Sequence, residues 1–171
     1  MLAYTVRISG VKDGIHEDYF DINGKFFESF VNYDVINCEI KVISVLIKDG
    51  NKLKLNLDLK GEIYNLLCDL CASEITIQVD NSISVLFHEN EEEIDNTDEI
   101  IYIKPNQYEI DISQLIYEGI VLSIPSKIEH SGKENNKCDN DMKVLLAKYA
   151  EKTEDRNDPR WDKLNKLKDL I

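Results

Sequence analysis

Leu53, Leu55, Leu57 and Leu59 recur at every second position, with lysine, asparagine and aspartate between them. Successive strand side chains point to opposite faces, so this spacing makes one apolar face and one polar face. On a helix the same stripe would wind around the axis and bury no single side. The preceding segment, Val35 to Lys48, is rich in Val and Ile and reads as a long strand. Asp49-Gly50-Asn51 joins the two, and these residue types tolerate the positive φ of a tight turn. An antiparallel hairpin is therefore expected.

Further strands flank it. Tyr4 to Ile8 alternates polar and apolar, Ile15 to Phe20 follows the Asp13-Gly14 turn, and Asn23-Gly24 signals another turn. Gly61 is expected to break the leucine strand. Ile75, Ile77 and Val79 alternate, as do Ile83, Val85 and Phe87, with Asp80-Asn81-Ser82 between them as a tight turn or a bulge. Ile100 to Ile103 and Tyr108 to Ile112 are short strands around Pro105-Asn106.

Helical spacing appears only later. Asp111 or Ser113 caps a helix through Leu122, whose apolar face is Leu115, Ile116, Gly119, Ile120 and Leu122, and Pro125 stops it. Ser126 to Asp141 is a polar loop. Met142, Leu145, Leu146 and Tyr149 follow with helical spacing, capped by Asp139 or Asn140. After a charged linker from Lys152 to Asn157, Asp158 and Pro159 start a final helix. Its stripe is Trp161, Leu164, Leu167, Leu170 and Ile171, with Lys163, Lys166 and Lys168 alongside. That stripe either docks on the body or presents anchors to a partner groove. Strands first and helices last argue for an α+β fold: an antiparallel β-rich body over the N-terminal two thirds, with C-terminal helices. Residues 1–150 form the body and 151–171 the linker and amphipathic helix.

The acids number 33 against 20 bases, a net charge of -13. That surface repels phosphate backbones and favours basic protein partners. The acidic run Glu89 to Glu99 reads as a solvated loop, or as a lure for a basic partner. Four cysteines are too few for a secreted disulfide scaffold. No stretch reaches the ~20 apolar residues that span a bilayer, and Met1 to Arg7 has no signal-peptide pattern. The expectation is a cytoplasmic protein with reduced thiols, bound neither to membrane nor to a small-molecule substrate.

Cys68-Asp69-Leu70-Cys71 is a C-x2-C pair before a strand. Two thiolates so spaced can hold one metal from a tight turn, and a structural zinc needs about four ligands. His130 and Cys138, in the long polar loop, complete a set of three cysteines and one histidine. Free thiols, a redox dithiol or a simple loop histidine are the competing readings. Cys38, inside a Val/Ile strand, reads as a buried small hydrophobe, and His88 as solvated. The chain has no phosphate-cradling glycine loop, no H-E-x-x-H and no G-x-S-x-G. Four protein ligands would leave no open position for catalysis, so a metal here would be structural and the chain no enzyme.

The C-terminal two thirds resembles the YceD-type family, the large ribosomal RNA subunit accumulation proteins. The resemblance is one of order. Cys68 and Cys71 precede a strand pair, an acidic loop follows, and Ile110-Asp111-Ile112 leads to a helix ending in Leu122-Ser123-Ile124-Pro125. His130 and Cys138 come next, and Asp158-Pro159-Arg160-Trp161 with Leu164 to Leu167 closes the chain. The usual Cys-x-Arg-Cys core lacks its arginine here, and of the post-helix prolines only Pro125 is present. The resemblance implies a non-enzymatic ribosome-biogenesis role in large-subunit RNA processing or accumulation. Partners would be a basic ribosomal protein, a large-subunit RNA precursor particle, or both. It points to Arg160, Trp161, Lys163, Leu164 and Leu167 for partner binding. The alternative is a zinc-stapled protein interaction module with no RNA role.

Overall fold

The computed structural model describes residues 4–30, 37–90, 100–105, 107–130 and 138–149. In chain order the elements are β1 (Thr5–Arg7), β2 (Gly14–Asn23), α1 (Gly24–Phe27), β3 (Asn37–Asp49), β4 (Lys52–Leu67), β5 (Glu74–Glu89), β6 (Ile100–Ile103), β7 (Glu109–Asp111), α2 (Ser113–Leu122) and α3 (Asn140–Tyr149). The expected hairpin is the centre: β3 and β4 pair antiparallel from Asp49↔Lys52 to Asn37↔Tyr64, with Gly50 at φ 57° in the turn. β2 adds outside β3 and β5 outside β4, giving the order β2-β3-β4-β5-β6, while β1 and β7 form a separate antiparallel pair. The fold is α+β, strand-rich with its longer helices late in the chain.

One face of the large sheet carries the core. Leu55, Leu57 and Leu59 of β4 are fully buried, beside Ile40, Val42 and Leu46 of β3 and Val79, Val85 and Phe87 of β5. α2 covers this face with Ile116, Gly119 and Ile120. Gly119 lets the helix approach closely, since a Cβ there would lie 2.6 Å from Ile83 Cδ1. The β1–β7 pair contributes Val6 and Ile110 to the same cluster. Phe26 and Phe27 of α1 extend it toward Tyr117, which stacks on Phe30 at 4.3 Å.

Several local expectations are corrected. Gly61 does not end a strand: β4 runs through it, paired to Ile40 and Val79. A Cβ at Gly61 would overlap the Glu39 carbonyl oxygen and lie 2.6 Å from Ile40 Cα, so the glycine permits a close strand crossing. Asp80-Asn81-Ser82 is neither turn nor bulge but regular ladder against Asp58, Leu59 and Lys60. The irregularity lies between Ile63 and Leu66, where Asn65 takes φ 60°. Asn23 caps α1 by accepting from Lys25 N–H at 3.1 Å, so Asn23-Gly24 opens a helical turn. β6 pairs parallel to β5, not antiparallel. In α2 Leu122 is 80% exposed and leaves the apolar face. Ile112 is its N-cap, with Asp111 Oδ1 accepting from Ser113 N–H just outside at 2.8 Å.

Candidate metal centre

The link between β4 and β5 is a knuckle closed on itself: Cys68 N–H donates to Ser73 O at 2.9 Å and Ala72 N–H to Cys68 O at 2.8 Å. Ala72 holds φ 54° to complete it, a conformation costly for a residue with a Cβ. The turn sets the Cys68 and Cys71 side chains on one side. The second half of the cluster is carried in by the chain after α2. Asp69 clamps that chain twice: its N–H donates to Ile128 O at 2.8 Å, and its Oδ2 accepts from Ile128 N–H at 2.6 Å. This places His130 beside the knuckle. Cys138 arrives from the start of α3, whose Met142 packs on the cluster together with Leu70.

The four ligand atoms lie within 4.8 Å of one another. Cys68 Sγ and Cys138 Sγ are 3.7 Å apart. His130 Nδ1 lies 3.5 Å from Cys71 Sγ and 3.6 Å from Cys138 Sγ. For a tetrahedral zinc with Zn–S of about 2.3 Å and Zn–N of about 2.0 Å, the ligand–ligand edges are about 3.8 and 3.5 Å. The residues fit such an ion in number, type and spacing. All three cysteines are free and buried.

The electrostatics favour a cation. Burial works against the Cys68 thiolate, yet the backbone N–H groups of Leu70, Cys71 and His130 outweigh it and bring the thiol down to about 6. The N–H groups of Ser73 and Asp139 lower Cys71, against its burial. Cys138 is raised, first by burial and then by its neighbours Cys68 and Cys71. Burial opposes protonation of His130, but the Cys68 and Cys71 sulfurs beside it raise its pKa overall. The knuckle thus concentrates negative charge that a metal would neutralise.

All four residues picked from spacing come together. Asp69 is the site residue that spacing did not single out; its only signal is its place inside the C-x2-C turn. Cys38 stands apart and fully buried, with burial, then Glu39, pushing its thiol up to about 11. His88 is exposed at the end of β5, edge-on to Tyr102 at 6.0 Å. Arg160, Trp161, Lys163, Leu164 and Leu167 lie outside the described residues, as does the acidic run from 91 to 99. Among the described residues no helix is long and apolar enough to cross a membrane.

No curated protein and no solved structure matches the chain. Residues 55–168, about two thirds of the 171 residues, match the family described as Large ribosomal RNA subunit accumulation protein YceD. The match spans the knuckle, the α2 helix and both loop ligands, and the chain belongs to the YceD family.

Proposed function

We propose that this protein is a non-enzymatic ribosome-biogenesis factor that supports processing or accumulation of large-subunit ribosomal RNA in the cytoplasm. One observation carries the reading: the family match covers residues 55–168, and with them the whole four-residue cluster. In this reading Cys68, Cys71, His130 and Cys138 hold a structural zinc. Bound there, zinc supplies a tetrahedral cross-link between the β4–β5 knuckle and the segment running from α2 to α3. The chain's own residues do the rest: Asp69 fixes the segment at Ile128, and Leu70 and Met142 shield the sulfurs from water. Four protein ligands fill the coordination sphere and leave no place for a substrate.

The partner is a basic ribosomal protein, alone or on a large-subunit RNA precursor particle, a choice that the net charge of -13 favours. Arg160, Trp161, Lys163, Leu164 and Leu167 are its second contact: an apolar anchor row flanked by the basic residues of the C-terminal segment. Gradient sedimentation of lysate tests the role. The protein is expected with large-subunit precursors, and a chain truncated before Asp158 is expected to leave those fractions while keeping its thermal stability. Protein found only at the top of the gradient, whatever the state of ribosome assembly, contradicts the reading and leaves the zinc-stapled interaction module without an RNA role.

A further inference from the structure

β2 is an edge strand. All ten of its residues, Gly14 to Asn23, pair with β3 on one side. Among the described residues, no backbone group bonds to the other side of Gly14–Asp21. Natural sheets usually blunt such an edge with charged side chains, lysine above all, with proline or with a bulge, and charges of one sign turn away only strands of the same sign. β2 has no lysine, arginine or proline and pairs without a register shift. Its charges are all acidic: Glu17, Asp18 and Asp21.

The face pattern is specific. Ile15, Glu17, Tyr19 and Asp21 share the side of the sheet away from the core, apolar and acidic in turn. Ile15 is 66% and Tyr19 69% exposed. Each stands opposite another isoleucine of β3: Ile15 beside Ile47 and Tyr19 beside Ile43. The Tyr19 hydroxyl donates to Glu17 Oε2 at 2.7 Å, which holds the ring along the strand. A second copy of the chain is a poorer occupant, because β2–β2 pairing offers these carboxylates no cation in any register, and antiparallel pairing centred on Tyr19 would set Glu17 against Asp21.

We propose that the outer edge of β2 takes up an extended basic peptide segment as an added strand. The segment's matching face carries apolar and Lys or Arg residues in turn at every second position. Its backbone fills the open ladder, its apolar residues cover the Ile15–Ile47 and Tyr19–Ile43 pairs, and its cations meet Glu17 and Asp21. The proposal rests on the ribosomal reading only for the source of the segment, a basic protein of the large-subunit particle.

The test uses the full chain and a short synthetic peptide with Val and Lys in turn on one face and Thr on the other. Hydrogen exchange of backbone amides and fluorescence anisotropy are read together. The lysine peptide is expected to slow exchange within Gly14–Asp21. The doubly substituted chain Glu17→Lys/Asp21→Lys is expected to bind it about tenfold more weakly or worse and to bind the glutamate version of the peptide instead. A backbone N-methylated lysine peptide keeps the charge but cannot pair, and it is expected not to bind. The proposal is overturned by absence of binding, by binding that leaves β2 exchange unchanged, or by equal binding of the N-methylated peptide. No ribosomal particle is present in this titration. A chain that binds the peptide but never sediments with precursors removes the ribosomal reading alone, and one that sediments but fails here removes this proposal alone.

Discussion

Asp69 joins the two halves of the cluster with one backbone and one side-chain hydrogen bond to Ile128. Replacing it with alanine keeps all four ligands but frees the His130 segment. Zinc affinity is expected to fall by about tenfold or more, the usual cost of losing an outer-shell partner. Competition titration with a chromophoric chelator checks this, and Asp69→Asn, which keeps an acceptor, is expected to recover much of the loss. Protons compete with the metal for the same ligands. Cys68, lowered from 9.0 to about 6, is a thiolate at neutral pH and takes up its proton only as pH falls through that value. A bound zinc would hold the thiolates deprotonated below their metal-free values, so zinc is expected to stay bound at pH 8 and to leave only well below about pH 6, read as metal content after dialysis. Ser44 is fully buried among Val42, Leu46 and Leu57 with an Oγ that has no hydrogen-bond partner among the described residues. Ser44→Ala removes an unsatisfied hydroxyl and is expected to raise stability by about 1 kcal/mol in denaturant titration.

At the scale of elements, β4 is held by its glycine. Gly61→Ala would drive a Cβ into the Glu39 carbonyl and the Ile40 Cα, both backbone atoms that cannot step aside. A loss of about 3 kcal/mol or more is expected. Gly119→Ala meets side-chain tips and no backbone, Ile83 Cδ1 at 2.6 Å and the Leu59 methyls at 3.3 and 3.4 Å, so a smaller loss of about 1–2 kcal/mol is expected. Chemical denaturation of the two variants ranks them. These positions also show what a sequence makes legible. The period-two leucines and the Asp49-Gly50-Asn51 turn declare the hairpin because burial and turn geometry act within a few residues. Gly61 is misread from sequence because its cause is a close approach by β3, a neighbour some twenty residues away. The parallel pairing of β6 is hidden as well, since an apolar run of four residues carries no mark of strand direction. The cluster of Cys68, Cys71, His130 and Cys138 is legible because ligand chemistry limits the residue types. The clamp from Asp69 is not, because an aspartate in a turn has many ordinary uses.

For the whole molecule, the expectations follow from the net charge and from the proposed zinc. With a net charge of -13, the isolated protein is expected to bind large-subunit RNA only weakly at physiological salt, as a filter-binding titration would show. The ordered body does not depend on zinc for its core, which is built from the large sheet, the β1–β7 pair, α1 and α2. The cysteine cluster is a separate apolar group. Chelation is therefore expected to release His130 and Cys138 from the knuckle and lower the melting temperature by roughly 5 °C without unfolding the sheet. The most direct measurement is native mass spectrometry of the full chain, beside single replacements of Cys68, Cys71, His130, Cys138 and, as control, Cys38. One zinc per chain is expected, retained by Cys38→Ala and lost or sharply weakened in each of the other four. A chain that carries no zinc, or that keeps it when the four residues are replaced, contradicts the metal centre and with it the account of how this fold is closed.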